Sequence, residues 1–179
     1  MDIYAFEEEQ ERLLQDPEIA DAWLEYKSQF PHVNLYYRTS NQYSNQISIV
    51  DGKKAKTTDI NFYKLFVEQC FNLLSPGGEC GIVIPSGIYT DLGAKQLREM
   101  LFNQTQVTGL FCFENRNLIF EGVHRSFKIA VLTFEKGDQT EGFPAVFMRH
   151  DVKELIQFPN VDTPIIKLDF LRRLSPDSL

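Results

Sequence analysis

The sequence predicts an α/β fold preceded by a helical segment, and three observations carry that prediction. Residues 59–86, DINFYKLFVEQCFNLLSPGGECGIVIPS, run from a helical pattern through a proline-glycine turn into a short apolar strand. A second helical pattern and further strand-like runs follow, and FKIAVLTF, like the first strand, is apolar at odd and even positions alike. Ahead of them stand two helical patterns rich in acid. One domain is the default for 179 residues, a length that buries roughly 70% of the unfolded chain's surface.

From the N-terminus, Ile3 to Leu14 has helical spacing, with Glu7, Glu8, Glu9 and Glu11 on its surface. Asp16 then offers an N-cap and Pro17 suits the first helical position. The second helix carries Ile19, Trp23 and Tyr26 on one side and is expected to end near Phe30-Pro31. The two read as a helical hairpin, either a packing appendage with a solvated acidic face or a protein-binding element. Residues 33–49, rich in Tyr, Asn, Gln and Ser, read as an exposed connector. Asp51-Gly52 before Lys53, Lys54 and Lys56 reads as a turn with a basic tail. An ordinary loop fits this stretch, and so does a surface that stacks bases and touches phosphates.

Thr57, Thr58 and Asp59 offer N-cap oxygens to the next helix, whose buried face is predicted at Phe62, Phe66, Cys70, Leu73 and Leu74. Ser75-Pro76-Gly77-Gly78 ends it, because proline breaks the ladder and glycine accepts positive φ. Cys80 to Ile84 is the strand, and its two apolar faces suit a position covered by helices on both sides. Leu92 to Phe102 forms a second crossover with Ala94, Leu97 and Leu101 inward and Lys95, Arg98 and Glu99 outward. Val107 to Phe113 and Phe127 to Phe134 are the next strands, the latter placed centrally in the sheet. Between them lies a polar loop, Glu114 to Ser126, in which Ile119-Phe120 is the only bulky apolar pair. Phe143 to His150 is one further strand, and Val152 to Leu179 reads as surface segments and a short helix.

The net charge of −7 belongs to residues 1–30, which hold nine acids and two bases; the remaining residues balance at sixteen of each. A nucleic-acid role therefore requires a local basic patch rather than a global field. No apolar run approaches the roughly 20 residues of a membrane span, and the acidic N-terminus lacks signal-peptide features, so a cytoplasmic protein is expected. Cys70, Cys80 and Cys112 show no Cys-x-x-Cys spacing and read as reduced core residues, with no metal site. Phosphate-cradling glycine loops, a P-loop, metal clusters and a Ser-His-Asp order are all absent from the sequence.

The run NFYKLFVEQCFNLLSPGGECGIVIPS, then LREML, then FENRNLIF followed by FKIAVLTF, resembles the later motifs of gamma-class adenine DNA methyltransferases. These include the type IIG restriction-modification enzymes and related phage-defence methylases. The resemblance spans about residues 56–136, with weaker echoes in the connector and in LRRLSPDSL. It implies a partial Rossmann-like, class I methyltransferase sheet that binds S-adenosylmethionine and methylates the exocyclic amine of an adenine flipped from double-stranded DNA. It implies a cofactor-binding group of Asn61, Tyr63 and Phe66, with Phe66 as the wall for the cofactor adenine; plain core packing is the other reading of Phe66. Phe120 matches the aromatic that stacks on the flipped base, against the alternative of a loop anchor. Arg116, His124, Arg125 and Lys128 surround it as candidate DNA contacts.

Two family features have no counterpart in this sequence: the catalytic tetrapeptide, Asn-Pro-Pro-Tyr or a near variant, and the glycine-rich cofactor loop. The chain is therefore expected to be the second half of a methyltransferase domain, inactive alone and without catalytic residues of its own. Residues 1–56 would be a helical segment and connector, 57–150 the half-domain, and 151–179 a tail leading toward a target-recognition region. In the family fold the strand at Cys80 to Ile84 pairs with the strand bearing the tetrapeptide, so its edge should be open here. An open edge invites a homodimer or covering by the protein's own helices. Two rivals stand beside this reading: a non-catalytic DNA- or protein-binding module built on the same sheet, and a small-molecule methyltransferase or other Rossmann enzyme sharing the fold alone.

Overall fold

The computed structural model describes residues 2–47, 49–50, 53–54 and 60–174, which fall into two units, residues 1–40 and 41–179. In the first unit, α1 (Ile3–Leu13) starts at Asp2, whose carboxylate accepts from the Ala5 amide at 2.9 Å. The second helix, α2 (Pro17–Thr39), starts at Asp16, which accepts from the Glu18 amide at 2.9 Å. Neither helix buries a residue, so the pair has no core of its own among the described residues. Trp23 and Tyr26 stack along α2 with centroids 5.6 Å apart, and Phe30 meets Tyr26 edge-on at 4.8 Å.

Pro31 does not end α2, contrary to the sequence expectation. A helical proline costs about 3 kcal/mol, chiefly through a lost ladder bond and a clash with the carbonyl four residues back. That carbonyl belongs to Lys27, on an exposed turn where water can satisfy it. Beyond the proline the helix resumes, with the Thr39 hydroxyl donating to Leu35 O at 2.8 Å and the Ser40 amide to Tyr36 O at 2.9 Å.

In the second unit, residues 41–47 are only in part the exposed connector expected, with Asn41, Gln42 and Ser44 exposed. After a 3₁₀ turn at Asn41–Tyr43, Gln46 is buried. The strands β1 (Ile49–Val50) and β2 (Lys53–Lys54) pair antiparallel, while the expected Asp51-Gly52 turn lies outside the described residues. So do Thr57, Thr58 and Asp59; the N-cap of α3 (Phe62–Leu73) is Asn61, which accepts from the Tyr63 amide at 3.3 Å.

The inward face of α3 also differs from expectation. Tyr63, Lys64, Leu65, Val67, Glu68 and Phe71 are buried, whereas Phe62 and Phe66 are 72% and 60% exposed and Leu73 is exposed. Glu68 explains the rotation together with the burial of Gln46. Its carboxylate accepts from the Asn45 amide at 2.9 Å, Asn45 Nδ2 at 2.8 Å and Gln46 Nε2 at 2.6 Å. A buried carboxylate is tolerable only when it is so satisfied.

The turn after α3 places Gly77 at φ +76, the left-handed region that glycine accepts without penalty. It leads into β3 (Glu79–Pro85), then α4 (Gly87–Thr90), a 3₁₀ turn at Leu92–Ala94, and α5 (Lys95–Gln104). The strands β4 (Thr105–Glu114), β5 (Lys128–Lys136) and β6 (Gly142–Arg149) follow, then α6 (Lys153–Ile156), β7 (Ile165–Lys167) and α7 (Leu168–Leu174). The tail thus adds an edge strand that the sequence pattern did not reveal.

The main sheet has the order β3-β5-β4-β6-β7, with β4 and β6 parallel and the other neighbouring pairs antiparallel. As expected, FKIAVLTF lies inside the sheet, and the α4–α5 segment carries the crossover between β3 and β4. Among the described residues β3 has a neighbour on one side only, so its other edge is open. It is not covered on both faces: Ile84 is buried, but Val83 is 54% exposed.

The main core lies between one sheet face and the helices, around Val67, Leu97, Leu101, Val107, Ala130 and Phe134. A smaller cluster of Phe111, Phe113 and Val146 occupies the other face. Arg98, expected on the surface, is buried, and its Nη1 donates to the carbonyls of Ile88 at 2.9 Å and Asp91 at 2.8 Å. A guanidinium can be buried when its donors meet carbonyls. At the other end of α3, Lys136 Nζ donates to Phe71 O at 2.8 Å and Leu74 O at 2.9 Å, a cation at the helix C-terminus where the macrodipole favours it.

All three cysteines are free, and burial pushes the Cys112 thiol up to about 12. Cys80 is raised to about 11 by burial and then by the neighbouring Cys70 thiol. No described helix is long and apolar enough to cross a membrane, and no group of metal-binding side chains occurs among the described residues.

Candidate functional site at the carboxyl ends of β3 and β4

The strands β3 and β4 run parallel with β5 antiparallel between them, so Pro85, Glu114 and the first residues of β5 share one end of the sheet. The register confirms this, pairing Pro85 with Ile129 and Glu114 with Lys128. The helix α3 runs back along β3, which brings Asn61 and Tyr63 to the same end. A Cβ added at Gly87 would come 2.6 Å from Tyr63 Oη. In α/β sheets ligands gather at the carboxyl ends of strands.

On the α3 side, the three residues of the expected cofactor group have different roles. Phe66 projects from the core, so plain core packing does not describe it. Asn61 is exposed and occupied as the N-cap. Tyr63 is buried at 8% exposure, and its hydroxyl has no hydrogen-bond partner among the described residues. Burial, then the Asp91 carboxylate, pushes the Tyr63 phenol up to about 12. Beneath them Lys64 Nζ meets Asp91 Oδ2 at 2.9 Å, and Asp91 Oδ1 accepts from the Gly93 amide at 2.8 Å. Burial works to raise the Asp91 pKa, but the Lys64 hydrogen bond, the Gly93 amide and the charges of Lys64 and Arg98 together hold it below the usual value.

On the β4 side, the apolar pair divides. Ile119 packs onto Phe111, Phe113 and Val146, whereas Phe120 is half-buried and belongs to neither core cluster. Its loop is built on Asn115, the first residue after β4, with 0% exposure. Asn115 Nδ2 donates to Phe120 O and Val123 O, both at 2.9 Å, and Oδ1 accepts from the Phe120 amide at 2.9 Å. Leu118 and Gly122 take positive φ, 54 and 76, to close the loop around it.

Arg116, His124, Arg125 and Lys128 are all exposed around this loop. Arg116 Nε lies 3.9 Å from Glu114 Oε2, which His150 Nε2 meets at 2.8 Å. His124 Nδ1 bonds the Ser126 hydroxyl at 2.8 Å. The sheet end thus carries the exposed rings of Phe62 and Phe66 on α3, the exposed ring of Phe127 ahead of β5, the half-buried Phe120 ring on its hydrogen-bonded loop, and four exposed basic side chains.

Asn115, Asp91 and Lys64 were missed by the sequence reading. A signal for Asn115 was present in an amide directly after a strand and ahead of a glycine-containing loop; Lys64 and Asp91 gave none, since both read as surface charges. A cavity of about 360 Å³, lined by apolar groups such as Leu101, Phe143 and Leu171, opens on the helical face; none of this set lines it, but Thr90, Leu92 and Arg98 on its wall adjoin Asp91.

The Eco57I restriction-modification methylase family model matches residues 31–120, half of the chain. The type II methyltransferase M.BsuBI of Bacillus subtilis is 28% identical over 89 residues, covering 50% of this chain and 18% of that protein. Among solved structures, the type IIG restriction endonuclease BpuSI superposes with a TM-score of 0.52 at 16% identity, over 72% of this chain and 17% of that one. A type I restriction-modification assembly gives 0.50 at 16% identity, over 64% and 30%. At that identity the structural likeness speaks for the fold alone, and the chain spans less than a third of each of these proteins. The sheet and its helices are part of a class I S-adenosylmethionine-dependent methyltransferase fold. The chain belongs to the Eco57I restriction-modification methylase family.

Proposed function

We propose that this chain is the cofactor- and target-proximal half of an adenine-specific DNA methyltransferase of restriction-modification or phage defence, and that it is inactive alone. The observation that carries the reading is Phe120, a ring outside both core clusters, on a loop anchored by a buried amide and flanked by four exposed bases. An adenine drawn from a duplex loses its stacking, worth a few kcal/mol, and an aromatic face replaces it. Arg116, His124, Arg125 and Lys128 would hold the phosphates on either side.

When bound, S-adenosylmethionine supplies an electrophilic methyl on a sulfonium. The exposed ring of Phe66 fits the apolar wall that the cofactor adenine requires, with Asn61 fixing the start of its helix and Tyr63 lying beneath it. Transfer to an amine needs no covalent enzyme intermediate, so this half of the site acts by positioning. Polarising the amine falls to the tetrapeptide that the sequence lacks, and the open edge of β3 is where its strand, or a second copy of this chain, would pair. Residues 57–150 form the half-domain in this reading, with 1–56 as its helical decoration and 151–179 leading toward target recognition.

The test is methyl transfer to adenine-containing duplex DNA, with the products digested and N6-methyladenine quantified. The purified chain alone is expected to give none, and co-expression with the upstream segment of its parent is expected to restore it. Transfer by the chain alone would overturn the division of labour. Salt-dependent DNA binding without affinity for S-adenosylmethionine, in the chain and in the restored enzyme alike, would assign a non-catalytic binding module instead.

A further inference from the structure

Among the described residues, Asn115 is a fully buried side chain that makes all its side-chain hydrogen bonds to one surface loop. Both Nδ2 protons are used, on Phe120 O and Val123 O, and Oδ1 takes the Phe120 amide. Its backbone holds the two loop arms as well, with its amide donating to Phe127 O at 2.9 Å and its carbonyl accepting from the Leu118 amide at 2.9 Å. The backbone groups of Phe120 are thus held on both sides by one amide. No regular secondary structure fixes residues 118–127, and among the described residues the only hydrophobic anchor from this stretch in a core cluster is Ile119.

We propose that Asn115 is the positioning residue that presents the Phe120 ring to an extrahelical base, so that the stacking platform is formed before DNA arrives. This rests on the base-stacking reading of Phe120 given above. Aspartate at this position keeps the shape but turns an acceptor toward the carbonyls of Phe120 and Val123, and the mutual repulsion opens the loop. A protonated aspartate regains one donor, and burial favours that neutral form. The substitution is therefore reversible by acid, which a general loss of packing would not be.

The probe is a duplex carrying 5-iodouracil opposite an abasic site, a base already disposed to leave the stack. Long-wave ultraviolet light couples iodouracil to an aromatic ring stacked on it, and mass spectrometry locates the joined residue. With the full chain at saturating concentration, so that affinity does not enter, the wild type is expected to couple at Phe120. Asn115→Asp is expected to lose that product at pH 7 and regain much of it near pH 5. Asn115→Ser, which keeps a single donor, is expected to lose part of it, and it serves should the aspartate variant melt below the assay temperature. Coupling at Phe120 that survives both substitutions overturns the positioning role and leaves the stacking role standing. A wild-type chain that couples elsewhere, or nowhere, overturns the stacking role and the positioning role together.

Discussion

The two faces of α3 reverse the usual arrangement, with Lys64 and Glu68 inside and Phe62 and Phe66 outside. The inward charges are completely matched: Glu68 by the amides of Asn45 and Gln46, Lys64 by Asp91. The outward rings are matched by nothing in either core cluster. Charges placed inside fix where the helix sits and which segments it gathers. Rings left outside remain free for something the fold does not supply.

The sharpest way to break this contrast is Glu68→Ala, which takes the acceptor from the Asn45 amide and leaves Gln46 Nε2 only its longer bond to Lys64 O at 3.2 Å. We expect a loss of about 3 kcal/mol, from the cost of roughly 1–3 kcal/mol per buried unsatisfied group, read as a lower denaturant midpoint. A loss below about 1 kcal/mol would show that these amides find water instead.

Next in size is Lys64→Met, which removes a buried partner from the half-exposed Asp91. A loss of about 2 kcal/mol is expected, below the roughly 3–5 kcal/mol of a fully buried broken pair. The sign of its pH dependence follows from the lowered Asp91 pKa. A depressed carboxyl contributes stability above its unfolded pKa and loses it as pH falls through the folded one, so the decline belongs below about pH 4. Acid titration of the melting temperature should show a shallower decline in the Met variant than in the wild type. Equal declines would remove Lys64 as the cause.

The smallest structural effect belongs to the outer face. Phe66→Ala should alter stability by no more than about 0.5 kcal/mol, as for other exposed substitutions. In the restored enzyme it should weaken S-adenosylmethionine binding, measured by calorimetry. Unchanged affinity would remove Phe66 from the cofactor site.

Much of the fold was legible because local chemistry decided it. Asp16-Pro17 sets a helix start, Ser75-Pro76-Gly77-Gly78 sets a turn, and the doubly apolar FKIAVLTF belongs inside a sheet. The phase of α3 was not legible. Its pattern has apolar residues on both sides, and the choice fell to charges whose partners lie far off in sequence: Asp91 for Lys64, Asn45 and Gln46 for Glu68. Pro31 misled because the rule against helical proline weakens where water reaches the orphaned carbonyl. Of the candidate site, the aromatic and basic types could be named from sequence. Asn115 left only the signal of an amide after a strand, and its role was not legible, since it lies in two carbonyls and an amide that only the closed loop brings to it.

Helix α3 is tethered at both ends, by Lys64 to Asp91 near its start and by Lys136 at its final carbonyls. It can neither slide along β3 nor fray at its C-terminus without breaking charged hydrogen bonds. The Phe66 ring therefore stands at a set height above the sheet. A ligand that settles on it freezes little backbone in doing so, because conformational entropy there was surrendered on folding. Binding to such a surface is spared most of the cost of ordering backbone, and what remains is the loss of side-chain and ligand freedom.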